Sequence, residues 1–324
     1  MIDIVKYESS YKSQWDDFVS KSKNGSLLFY RDYMEYHSDR FLDSSLLFFE
    51  EGDLVAVMPA NIADDVFYSH AGLTFGGVVS DRKKMGIRLM LELFNALMVY
   101  LSQHRIKTII YKAIPHIYHI VPAEEDLYAL FRHDAKVVQR DASSAILLEQ
   151  QIPFNRQKRR NIKLGRRNEL VVKRTDDFRA YMSIVAEVTD RKFNVAPTHT
   201  SKELELLSKR FPDNIKLFAA YKDETMLAGV IIFEHKSIVH AQYSASSDEG
   251  ETVGAGDLVW DYLIHDYCSD CGKRYFDFGR STEKGGRFLN AGLNAHKEAL
   301  GARATMYDTY KVDVANNKSP SAPL

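Results

Sequence analysis

KRYFDFGRSTEKGGRFLNAGLNAHKEALG, residues Lys273–Gly301, is the stretch that decides how this chain folds. Behind basic Lys273 and Arg274 stands Tyr275-Phe276-Asp277-Phe278, whose alternation and aromatic content predict a strand. Gly279 ends that strand, and a polar, glycine-containing loop follows over Arg280–Arg287. From Phe288 the pattern turns helical and stops at Gly301, a residue type suited to the left-handed position after a helix. A strand, a charged loop and a helix in succession can hold a ligand at the strand end of an α/β protein. The same unit also serves as plain scaffold, so its surroundings have to decide.

Upstream lies Gly250–Val259, GETVGAGDLV, between a strand ending near Ser246 and a helix predicted over Asp257–Tyr267. Gly254-Ala255-Gly256 just before a helix can present bare backbone N–H groups to a phosphate. It lacks the Gly-Lys-Ser/Thr of a P-loop and the third glycine of a dinucleotide fingerprint.

Composition bounds the rest. The 324 residues suit two domains, and 45% hydrophobic with 27% charged residues is an ordinary globular balance. A net charge of -1 gives no global attraction to nucleic acid or membrane, so any such affinity must be local. Two cysteines, Cys268 and Cys271, build neither a disulfide framework nor a zinc site, and their place at a helix end does not favour a thiolate. The N-terminus lacks a basic region followed by an apolar run, and the most apolar stretch, Leu89–Leu101, is too short to span a bilayer. The expectation is a soluble, cytoplasmic protein without a metal.

Taken in order, the first half predicts a strand at Ile2–Tyr7, a helix at Tyr11–Ser22, and strands Ser45–Glu50 and Leu54–Ala60 joined at Glu51-Gly52-Asp53. A long helix, Arg82–His104, and a strand, Thr108–Ala113, follow. In the aromatic loop Ile114–Pro122, His116 and His119 have no third ligand at a supporting spacing, and Tyr118 is a candidate for ligand contact or for packing. Gln151-Ile152-Pro153 marks the domain boundary. Beyond it, Arg156–Arg174 is strongly basic but carries no aromatic residue to stack bases; it suits a solvated helix, an anionic substrate or nucleic acid. The second half repeats the first half's order, with helices at Asp176–Arg191 and Ser201–Arg210 and strands at Lys216–Tyr221, Met226–Glu234 and Ile238–Ser246. That order suggests an internal duplication of one α/β unit.

Asn290 opening and Gly301 closing the last helix resemble the final strand–helix unit of the GNAT N-acyltransferase superfamily. Gly254-Ala255-Gly256 is similar to the GNAT pyrophosphate loop, Gln/Arg-x-x-Gly-x-Gly/Ala, with Glu251 where that pattern has Gln or Arg. More narrowly, Asp277-Phe278-Gly279-Arg280-Ser281 and Lys297-x-x-x-Gly301-Ala302 resemble the Fem-type peptidoglycan aminoacyltransferases and their acyltransferase relatives, with His296 in place of the usual Phe. The resemblance implies an α/β fold of two tandem GNAT-like domains, each a mixed, mostly antiparallel sheet flanked by helices. The first would cover residues 1–150, the second, catalytic one 151–315, and a flexible tail 316–324.

The resemblance also implies roles. Val253, Gly254, Ala255, Gly256 and Asp257 would hold the phosphates of acyl-coenzyme A, and Lys297 would stabilise the oxyanion or the departing thiolate. Asp277 or Glu283 would accept the amine proton, with Tyr243 and His240 behind them. Arg280, Arg287 and Arg160 of the basic helix would hold an anionic acceptor such as an amino-sugar nucleotide or cell-envelope precursor, with His296 and Tyr118 as further contacts. Two other readings stand beside this one. A Fem-type enzyme would draw its amino acid from aminoacyl-tRNA, the one case in which nucleic acid is a partner. A degenerate transferase fold would bind without catalysing.

Overall fold

The computed structural model describes residues 1–193, 197–270 and 272–314, which form two compact units. Cys271 and the tail Asn316–Leu324 lie outside the described residues.

The first unit is Met1–Asp141, joined by Glu283–Phe288 and the stretch from Met306. Strands β1 (Ile2–Lys6), β2 (Leu46–Glu50) and β3 (Asp53–Met58) run antiparallel. The β2–β3 turn consists of Glu51 and Gly52, with φ of 52° and 87°. Positive φ at both central residues matches the twist of a two-residue hairpin. Further strands are β4 (Asn61–Ala63), β5 (Val66–Tyr68), β6 (Val79–Ser80) and β7 (Thr108–Lys112); β7 pairs in parallel with β5 and antiparallel with the end of the last strand, Arg303–Asp313. The long helix runs Ile87–Gln103 and so begins later than the sequence suggests. Asp81 explains the delay, since its carboxylate accepts the amides of Lys83 and Lys84 and holds a turn there. Phe48, Leu93, Phe94, Leu97 and Tyr111 fill the core of this unit.

The second unit is Ala142–Thr282 with Leu289–Thr305. Its strands follow the order β8 (Lys136–Leu147, from residue 142 onward), β13 (Tyr275–Arg280), β12 (Ile238–Ser246), β11 (Thr225–Glu234), β10 (Ile215–Lys222) and β9 (Val171–Thr175). All neighbours are antiparallel except β12 and β13. β11 is an almost unbroken apolar run because both its faces are covered. Ala228, Val230 and Ile232 share a core with Val259 and Leu263 of the helix Ala255–Asp261 and its continuation. Gly229, on the other face, lies under Tyr181 of the helix Phe178–Phe193, whose ring a Cβ there would meet at 2.8 Å. The helix Ser201–Arg210 starts as its letters predict, with Thr200 and Glu203 forming a reciprocal capping box.

Candidate active site

The site begins where two strands part. β12 and β13 pair in parallel only over Ile238–His240 and Tyr275–Asp277, whereas β12 stays paired to β11 as far as Ser246. Beyond His240 the far edge of β12 therefore opens on a cleft. A 440 Å³ pocket is lined there by Ser244, Ala245 and Ser246 of β12, Gly229 of β11, His296 of the helix Ala291–Ala299 that follows β13, and Asn290 just before that helix. The small side chains leave this volume open, which falls in the usual range for a ligand site. Tyr181 shows which way the strand's amides point. Its hydroxyl donates to the Gly229 carbonyl at 2.9 Å and faces the Ala245 N–H, so those two backbone groups face each other. The amides of Ser244 and Ser246, one residue to either side, then point to the opposite edge, into the cleft.

The glycine segment differs from its expected form. Asp248–Val253 is a helix, Gly254 is a single left-handed residue with φ 79°, and Ala255–Asp261 is helical again. Gly254 is not a bare phosphate cradle: its N–H already donates to the Gly250 carbonyl, and a Cβ on it would meet the Asn161 carbonyl at 2.3 Å. The glycine allows the basic helix Arg156–Arg167 to pack closely against it, with Gly165 of that helix answering from the other side. An aspartate at 254 would therefore disturb the packing of the helix itself, so it cannot isolate phosphate binding. Gly254 and Gly256 both line the pocket, while Ala255 is fully buried and Val253 packs against the core.

Asp257 and His296 come together through a residue the sequence reading left in the basic run. Lys158 Nζ donates to Asp257 Oδ1 at 2.6 Å and to His296 Nδ1 at 3.1 Å, and Asn161 donates to Asp257 Oδ2 at 2.7 Å. An ammonium only donates, so the imidazole accepts at Nδ1 and carries its proton on Nε2. All four residues line the pocket, together with Glu251. Asn290 caps its helix by accepting the Leu293 N–H at 3.0 Å, and Gly301 at φ 84° turns the chain against Ile152.

Asp277 does not stand in the pocket. Its carboxylate is wholly buried; it accepts from Ser143 Oγ at 2.8 Å, from His240 Nδ1 at 2.6 Å and from the Gly279 N–H at 3.1 Å. A carboxylate so enclosed holds the apex of the cleft. Lys297 is likewise buried, and its ammonium donates to the carbonyls of Gly279 and Arg280, both at 2.7 Å. It fixes the bend at Gly279, whose φ is 73°, and it is not among the residues lining the pocket. Burial lowers its pKa to about 8, against the nearby charge of Asp277, which raises it. Lys297 accordingly binds fewer protons folded than unfolded between about pH 8 and its ordinary pKa of 10.5. Stability should rise with pH across that window, and below it the burial penalty is fully present. The difference in unfolding free energy between wild type and Lys297→Met is expected to grow by about 2 kcal/mol from pH 8 to pH 10, read by urea titration. A pH-independent difference would mean that the ammonium is solvated.

The remaining candidates scatter. Tyr243 Oη receives the His199 N–H at 3.1 Å and lies 2.8 Å from His199 Nδ1; burial raises its pKa, and it is absent from the pocket lining. Arg280 is exposed at the end of β13 and outside the lining. Arg160 is exposed on the basic helix, away from Lys158 and Asn161. Glu283 and Arg287 are exposed residues of the first unit. Tyr118 is a core residue of that unit, 4.4 Å from Phe75 between ring centroids and accepting from the Tyr307 hydroxyl at 3.2 Å. Its ring packs in that core. His119 is buried with Nε2 3.1 Å from the Ile114 carbonyl.

Residues 154–297 match the family model described as the acetyltransferase (GNAT) domain. The second unit thus carries an acyltransferase domain of the GNAT class. More narrowly, the chain has the tandem GNAT fold of the Fem-like kind, as solved structures indicate. The crystal structure of FemX superposes with a TM-score of 0.67 at 12% identity, covering 94% of this chain and 96% of that one. The tandem GNAT protein from the clavulanic acid biosynthesis pathway gives 0.51 at 11% identity, covering 97% and 99%. L-PGS from Bacillus licheniformis gives 0.56 at 11%, covering 96% and 93%. Comparison with curated protein sequences finds no match.

Proposed function

We propose that the second unit transfers an acyl group from acyl-coenzyme A to an amine of an anionic acceptor of the amino-sugar nucleotide or cell-envelope precursor type. The observation that carries this reading is the pocket at the parting of β12 and β13, walled by small residues and edged by strand amides that no longer serve a ladder to β13. A thioester laid there would have its carbonyl oxygen near the Ser244 or Ser246 N–H, where negative charge develops in the tetrahedral intermediate. The first turn of the Ala255–Asp261 helix reaches the pocket through Gly254 and Gly256, and a helix N-terminus favours a phosphate. His296, at the pocket wall with its proton on Nε2, is suited to handing that proton to a leaving group or to holding the acceptor. Lys297 and Asp277 act at one remove, by fixing the bend and the cleft apex.

A second reading keeps the fold and changes the donor to an aminoacyl ester of tRNA. Glu251 favours it, because a carboxylate in the lining repels a pyrophosphate, and the cation nearby, Lys158, is already spent on Asp257. Thermal shift separates the two. Coenzyme A at a hundred times its dissociation constant stabilises by about 2.7 kcal/mol, or several degrees in Tm. An unmoved Tm, with no thiol released from any acyl-coenzyme A, would remove the first reading.

A further inference from the structure

The basic helix Arg156–Arg167 has two faces with different fates. On one, Lys158 is bound to Asp257, Asn161 to the same carboxylate, and Ile162 and Gly165 are buried. On the other, Arg156, Arg159, Arg160, Lys163 and Arg167 are all exposed, and among the described residues none has a carboxylate partner. At one residue per 100° these five fall within an arc of about 100°, in a row about 17 Å long. Glu169 is the lone acidic residue between positions 156 and 174. Arg166, at the edge of the stripe, bonds Asp261 at 2.7 Å. The stripe points away from the pocket wall that Lys158 and Asn161 form, so it does not serve the donor site.

We propose that this stripe docks the protein on an anionic phospholipid bilayer. Four of the five cations are arginines, whose planar forks bind phosphate in pairs of hydrogen bonds. No aromatic residue lies on the row to stack a base, which a single-stranded nucleic acid would use. Leu164, 37% exposed at the stripe's edge, gives an apolar contact beside the charges. A bilayer also suits a straight row, because mobile anionic lipids gather beneath it without any matching of groove or register. The chain's net charge of -1 makes such docking oriented, since the rest of the surface is not attracted. The proposal is independent of what the pocket binds.

The test is flotation of the full chain with phosphatidylcholine vesicles, with and without about 30% phosphatidylglycerol, at low and high salt. The protein should float with the anionic vesicles alone and be released by salt. Each cation near such a surface is worth roughly fivefold in partitioning, so Arg159→Gln/Lys163→Gln/Arg167→Gln should lower it roughly a hundredfold. Lys202→Gln/Lys209→Gln/Lys222→Gln removes the same charge elsewhere and should change it by no more than about threefold. Arg159→Lys/Arg167→Lys, which keeps the charge, should still float, and it answers for any loss of folding in the glutamine variant. Equal losses from both glutamine variants, or no preference for anionic vesicles, would overturn the proposal. So would stripe-dependent binding of an RNA duplex at the same salt without flotation, which would assign the stripe to nucleic acid.

Discussion

Asp277→Ala is expected to destabilise the protein by about 3–5 kcal/mol, the loss associated with removing one partner of a buried, hydrogen-bonded charge network. Three donors converge on this carboxylate: Ser143 Oγ, His240 Nδ1 and the Gly279 N–H. A carboxylate only accepts, so the His240 proton sits on Nδ1, and alanine would leave that proton buried without an acceptor. The position is also where β8, β13 and β12 meet in register, Ala145 with Asp277 and Asp277 with His240. A cavity there would loosen the point from which the cleft opens. Asp277→Asn keeps one accepting oxygen and should cost about 1–2 kcal/mol. Chemical denaturation of the two variants checks this. A loss below about 1 kcal/mol for Asp277→Ala would show that the network is dispensable. A kinetic loss in Asp277→Asn of a thousandfold, with unchanged stability, would return the residue to direct proton transfer.

What the sequence made legible followed from local chemistry. The Asn290 cap, the Gly301 terminus, the Thr200 start of the helix Ser201–Arg210 and the Glu51-Gly52 hairpin each depend on a few neighbouring letters, and each stands where those letters imply. The roles of Asp277, Lys297 and Tyr118 depended on burial, which a single sequence does not record. Lys297 shows why: a lysine between apolar neighbours can reach into a cleft or inward to carbonyls. What decides is the bend at Gly279, which turns two carbonyls toward it. Gly254, which lines the pocket, carries two readings at once. Phosphate loops and close helix crossings both call for glycine, and only the Asn161 carbonyl at 2.3 Å from its absent Cβ tells them apart. The serines at 244 and 246 are not legible in the sequence, because small polar residues at a strand's end carry no motif. Their meaning comes from β13 leaving β12 after His240, a property of pairing between residues 37 positions apart.

Ser244→Trp is expected to abolish donor binding while leaving the fold intact. Ser244 is exposed on β12, opposite Val230 in register, and faces the open pocket. An exposed strand position accepts an aromatic residue readily, so stability should stay within about 0.5 kcal/mol of wild type. The pocket, at 440 Å³, lies near the lower end of volumes that hold a ligand, and an indole would fill much of it. Displacing a reacting group by about 1 Å already costs on the order of a hundredfold in rate, and a donor kept out of the cleft should lose more. The Tm gain from coenzyme A should therefore vanish in Ser244→Trp while the unliganded Tm moves little. Ser244→Ala, which keeps the strand amide and the space, should bind and turn over almost normally, because the backbone N–H and not the hydroxyl meets the developing charge. A tryptophan variant that still binds coenzyme A as wild type does would place the donor elsewhere. An alanine variant impaired a hundredfold would make the hydroxyl a participant in place of the amide.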